Sequence, residues 1–135
     1  MDTLKVSAWL ALVLSVVGVF AKVARYMRQH EWWPFFLYDY IAVVLLVIGA
    51  LMVLRSGAGG RWLAAGWGFG VAMSYGSFFD HLHNWTNGIG TDLSFERTMS
   101  YSVGVLLVIN IIGLALTLWR PSPVKSGAKP VQVQS

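Results

Sequence analysis

The sequence predicts an all-α integral membrane protein, a four-helix transmembrane bundle with short loops. Three observations lead there. Of 135 residues, 56% are hydrophobic and only 12% charged, where an ordinary soluble domain carries about a quarter. The apolar residues collect into four blocks, each near the ~20 residues a helix needs to cross the hydrocarbon core. Thirteen of the sixteen Lys, Arg, Asp and Glu lie outside the blocks, in the short segments between them and at the two ends of the chain. A backbone in lipid must satisfy its own N–H and C=O groups, so each block is expected to be helical.

The first block covers about 6–24 and meets a charge only at Lys22. Lys5 ahead of it and Ala21 near its end also outline a secretory signal. With Met1 present, an uncleaved first span is expected. The second, 33–54, holds one charge, Asp39, and begins with Pro34, whose missing N–H costs little in a first turn. Ser56-Gly-Ala-Gly-Gly60, between Arg55 and Arg61, reads as a tight connection to the third block, 62–80.

That third block alternates small and bulky residues, as a strand would, but hydrocarbon forces a helix. Ala64, Gly68, Ala72 and Gly76 then fall on one row, and Gly66, Gly70 and Ser74 on another. Rows of small residues let neighbouring backbones approach, so helix three is expected to pack on two sides and be the most enclosed. The fourth block, 98–119, carries Asn110 near its middle, suited to an interhelical hydrogen bond. Pro121 and Pro123 end it, and 121–135 reads as a flexible cytoplasmic tail. There is no internal repeat and no second domain.

Trp32, Trp33, Trp62, Trp85, Trp119, Tyr26 and Tyr101 lie near block ends, where an interfacial belt belongs, while Trp67 lies deeper and is read as packing. Four spans return the termini to one side. That side holds Lys5, Arg55, Arg61, Arg120, Lys125 and Lys129; the other holds Lys22, Arg25, Arg28 and Arg97. The bias puts both termini in the cytoplasm, in a plasma or inner membrane. Ten basic against six acidic residues might suggest nucleic acid, but the cations flank apolar blocks and form no stripe among exposed aromatics. The lipid bilayer is the expected partner, with a second membrane protein or further copies of the chain. With no Cys, disulfides, thiolate metal sites and cysteine nucleophiles are excluded.

The other side gathers all three histidines and five of the six acids. His30 and Glu31 come from the first loop, Asp39 from the start of helix two, Asp80, His81 and His83 from the end of helix three, and Asp92 and Glu96 from the last loop. Three uses are open. As plain interfacial residues, they would meet water and pair with Lys22, Arg25 or Arg28, contributing little. As a metal site, His30, Asp80, His81 and His83 offer enough ligands for zinc or copper, and His30 with His81 or His83 could hold one haem. On a helix His81 and His83 diverge by about 200°, so the metal reading needs the chain to unwind at Leu82. Asn84-Trp85-Thr86-Asn87-Gly88 supplies turn formers just beyond. As a proton or substrate site, Asp39 would face the interior with Tyr38, Tyr40 and Tyr75 near it, and burial would raise its pKa.

Four short spans are also shared with the small multidrug transporters, but Val6–Ala21 holds no acid where that family has its essential glutamate. Asn84-Trp85-Thr86 matches a glycosylation triplet, and such triplets arise often by chance. The expected role is non-enzymatic: an accessory or assembly subunit whose outer mouth holds a partner or a metal ion. The alternatives are a small oligomeric proton-linked transporter using Asp39 and, third, a membrane metalloenzyme or haem-binding subunit.

Overall fold

A computed structural model describes residues 2–29, 34–90 and 92–119, without the side chains of 21–22, 24–29 and 34–39. Within these residues the chain is all-helical: α1 (Thr3–Gln29), α2 (Pro34–Ser56), α3 (Gly60–Thr86) and α4 (Leu93–Leu118). The shortest has 23 residues, about 35 Å at helical rise. Two of them, α1 over Thr3–Phe20 and α4 over Leu93–Leu118, are long and apolar enough to cross a membrane, and α2 adds a shorter apolar stretch, Tyr40–Ser56.

Local chemistry sets the ends. Pro34 opens α2 at the position where no intrahelical donor is needed. The turn into α3 uses Gly57 and Gly59 at φ 68° and 98°, backbone that a side chain would strain. Asp92 caps α4 by accepting the N–H groups of Ser94 and Phe95 at 3.0 and 3.1 Å. That cap starts α4 at Leu93, ahead of the expected 98, and α3 runs past 80 to Thr86. Hydropathy marks the apolar part of a helix, while caps mark where the backbone stops turning.

The helices run up and down in a square. α1 packs against α2 and α4, α3 packs against the same two, and α2 and α4 occupy opposite corners. Thr3 Oγ1 donates to the Trp119 carbonyl at 3.0 Å, which brings the start of α1 beside the end of α4. The opposite end of the bundle, where α3 gives way to α4, is here called distal.

Small residues permit the approach of α2 and α3. Gly49 lies against the backbone of Leu63, and a Cβ on Gly66 would come within 2.9 Å of the Leu46 nitrogen. Between α3 and α4, Gly113 makes room for the Trp67 indole, and Gly70 faces the Asn110 amide. The two small rows of α3 are therefore unequal. Gly66, Gly70 and Ser74 lie on packing faces, whereas Gly68 and Gly76 have open space around them and Ala72 is exposed. Helix three makes close approaches on two sides, to α2 at Gly66 and to α4 at Trp67 and Gly70. Four residues are buried on it, Leu63, Gly66, Trp67 and Ser74, and four on α4, Ser100, Asn110, Gly113 and Thr117.

The interior mixes polar and mostly small side chains with an apolar cluster that includes Leu4, Leu46 and Val53. Ser7, Ser15, Ser74, Ser100, Asn110 and Thr117 are buried beside Ala8, Ala11 and Ala50, with Trp67 and Leu63 the bulkiest. Large apolar side chains point outward instead: Trp9, Val13 and Phe20 on α1, Val44 and Ile48 on α2, Val105 and Ile112 on α4.

Candidate functional site

Two polar ties cross the interior. At the level of the termini, Ser7 Oγ accepts from Trp67 Nε1 at 2.8 Å and contacts Thr117 Oγ1 at 2.7 Å. The Gly113 carbonyl accepts from Thr117 at 2.8 Å and lies 3.0 Å from Ser7 Oγ. One hydroxyl thus joins α1, α3 and α4. Two helical turns further along, Asn110 Nδ2 donates to Ser74 Oγ at 3.0 Å and to the Leu106 carbonyl at 2.9 Å. Both amide hydrogens are used. In such an interior an unmade bond of this kind costs more than a made one contributes.

The distal end holds the third tie. His81 Nδ1 lies 2.7 Å from Glu96 Oε2, with both side chains largely covered at 19% and 16% exposure. A carboxylate can only accept, so Nδ1 carries the hydrogen and Nε2 is left as the free lone pair when the ring is neutral. The Phe95 and His81 rings lie nearly perpendicular, at 82°, with centroids 6.3 Å apart. Glu96 sits in the first turn of α4, where the helix dipole favours a negative charge. Hydrogen bonds from the Ser94 hydroxyl, first, and from the Phe95 and Ser94 N–H groups hold the Asp92 carboxyl below its ordinary 3.8.

The residues singled out from the sequence are only partly brought together. α3 is unbroken through Leu82 to Thr86, so the extended segment that would let His81 and His83 share one ion does not form. Thr86 Oγ1 bonds the Leu82 and His83 carbonyls, and Asn87 Nδ2 bonds the His83 carbonyl at 2.9 Å and lies 3.1 Å from its Nδ1. These contacts hold the helix closed where unwinding was expected. His81 faces α4, His83 is exposed and taken up by the helix cap, and Asp80 is exposed. Among the described residues no three His, Asp or Glu side chains are placed to hold a metal ion. His30 lies outside the described residues.

Around the expected proton site, Tyr40 and Tyr75 are exposed at 43% and 57%. Tyr75 packs on Phe79 at 4.7 Å, and Ser74 faces Asn110 of α4. The side chains of Tyr38 and Asp39 lie outside the described residues, although both belong to α2. The pairing of Glu96 with His81 is what sequence reading missed. The sequence alone places Glu96 in the last loop, and nothing local names His81, fifteen residues earlier, as its partner.

A groove of about 470 Å³ runs down the outer surface between α3 and α4. Phe78, Leu82 and Trp85 form one wall and Tyr101, Val105 and Val108 the other. No protein-family model matches the chain, and no curated protein or solved structure is significantly similar to it.

Proposed function

We propose that the chain spans a membrane four times, with both termini cytoplasmic, and serves as a non-enzymatic accessory subunit that docks a partner protein at its distal end. The observation that carries the membrane part is the inverted distribution of side chains. Four serines, a threonine and an asparagine are buried among small and apolar side chains, while Trp9, Phe20, Val44, Ile48, Val105 and Ile112 stand outside. Water would penalise that arrangement at about 25 cal/mol for each Å² of apolar surface left exposed. In lipid the outward side chains cost nothing and the small, hydrogen-bonded interior holds the helices together.

The accessory role is supported by how the polar groups are used. Ser7, Trp67, Thr117, Ser74 and Asn110 bond one another, and His81 bonds Glu96, so these groups tie helices together. Asp80 and His83 remain exposed beside the His81–Glu96 tie, and polar side chains of that kind fit the rim of a protein contact.

Alkaline extraction should leave the chain in the membrane pellet, and tags in the 87–90 turn and after residue 119 should report opposite sides. Tags on one side would end the four-span reading. A photo-crosslinker at Asp80 or His83 should give one defined heterologous adduct, while one at Gly76 should not. Adducts only between copies of the chain would refute the partner.

A further inference from the structure

We infer that the α3–α4 groove is a binding site for one phospholipid of the distal leaflet, with its phosphate on Arg97 and an acyl chain along Val105 and Val108. The inference rests on the membrane-spanning reading and adds a specific ligand to it. The groove wall includes Phe78, Leu82, Tyr101, Val105 and Val108, of which Tyr101, Val105 and Val108 are exposed at 65%, 61% and 54%. Phe78, Leu82, Val105 and Val108 offer an occupant dispersion contacts alone. Its depth comes from Gly104, where a Cβ would come within 3.0 Å of the Phe78 ring.

Length and charge identify the occupant. From Tyr101 to Ile109, both groove residues, α4 rises about 12 Å. That is less than half of the ~30 Å hydrocarbon core, so the groove belongs to a single leaflet. At its distal end Trp85 and Tyr101 lie 5.9 Å apart, the pair expected at headgroup level. Arg97 is exposed one turn further on, and the i, i+4 relation puts it on the same face of α4 as Tyr101 and Val105. Between the cation and the apolar wall lies Ser100, which lines the groove, is only 3% exposed and has a hydroxyl with no hydrogen-bond partner.

Going down α4, the chain therefore presents a guanidinium, a hydroxyl about 4–5 Å along, and an apolar wall beginning another ~6–8 Å below. A glycerophospholipid presents phosphate, ester carbonyl and acyl chain in that order. Arg97 is suited to the phosphate oxygens by its planar set of donors.

The test is native mass spectrometry of the full chain in mild detergent, titrated with phosphatidylglycerol or with diacylglycerol bearing the same acyl chains. Wild type should saturate at one phosphatidylglycerol and prefer it over diacylglycerol by about tenfold, the size of one charge-assisted hydrogen bond. Arg97→Gln should abolish that preference, and Val105→Phe or Val108→Phe, both at exposed positions, should reduce retention of either lipid. Adducts that never saturate and are equal in wild type and variants would overturn the site. Unchanged preference in Arg97→Gln would overturn the phosphate assignment. Release of the chain into the soluble fraction by alkali, before lipid is added, would be a failure of the membrane reading instead.

Discussion

Trp67 Nε1 donates to Ser7 Oγ at 2.8 Å across a diagonal of the bundle, joining two helices that otherwise hardly touch. The indole is wholly buried and lies over Gly113, so the contact needs both the donor on α3 and the missing side chain on α4. Ser7→Ala strands the buried N–H and should destabilise the fold by about 1–3 kcal/mol. Trp67→Phe should cost at least as much, because volume is lost as well. The double variant should cost less than the two singles together. Reversible unfolding in mixed micelles reads all three, and strict additivity would mean that the bond contributes nothing.

The two small-residue rows of α3 predict opposite outcomes for one substitution. Gly66→Leu and Gly70→Leu push a side chain into the Leu46 backbone and the Asn110 amide, and overpacking of this kind costs about 1–3 kcal/mol or more. Gly68→Leu and Gly76→Leu enter open space and should lie within ~0.5 kcal/mol of wild type. Equal loss at all four positions in a thermal-shift series would show that both rows pack.

The His81–Glu96 pair predicts measurable coupling between the distal ends of α3 and α4. Its 2.7 Å separation and low exposure distinguish it from an open surface pair. A double-mutant cycle of His81→Ala and Glu96→Ala should give an interaction of about 1 kcal/mol. Asp80→Ala, at an exposed position, should be near neutral. Coupling indistinguishable from zero would mean that the pair forms without stabilising the end.

Asp92 predicts a dependence on pH. Hydrogen bonds from Ser94 and Phe95 lower its carboxyl below 3.8 in the folded chain. The folded value is thus depressed relative to the unfolded one, so the unfolded state binds the proton more readily. The resulting stabilisation is complete above about 3.8 and is lost as pH falls through the lower folded value. Melting curves of wild type and Asp92→Ala should differ near neutrality and converge in acid. A gap that is constant with pH would assign the cap to shape and not to charge.

Much of this architecture was legible because it is local. Pro34, Gly57 and Gly59 act through their own backbone, and apolar blocks need only a few neighbours to become helices. The interhelical bond of Asn110 was also predictable, because a buried amide in the middle of an apolar helix has few other ways to be satisfied.

The sequence by itself determined four helices, their order and the glycine turn between α2 and α3, since hydrophobic runs and glycine or proline punctuation act over a few residues. Only the tertiary structure decided which side of each helix faces inward. A helix that is apolar nearly all round has no strong preference for one face, so its rotation is settled by the shape of its neighbours. That choice put Gly66 and Gly70 inside and Gly68 and Gly76 outside, gave Glu96 to His81, and turned His83 back into its own helix cap.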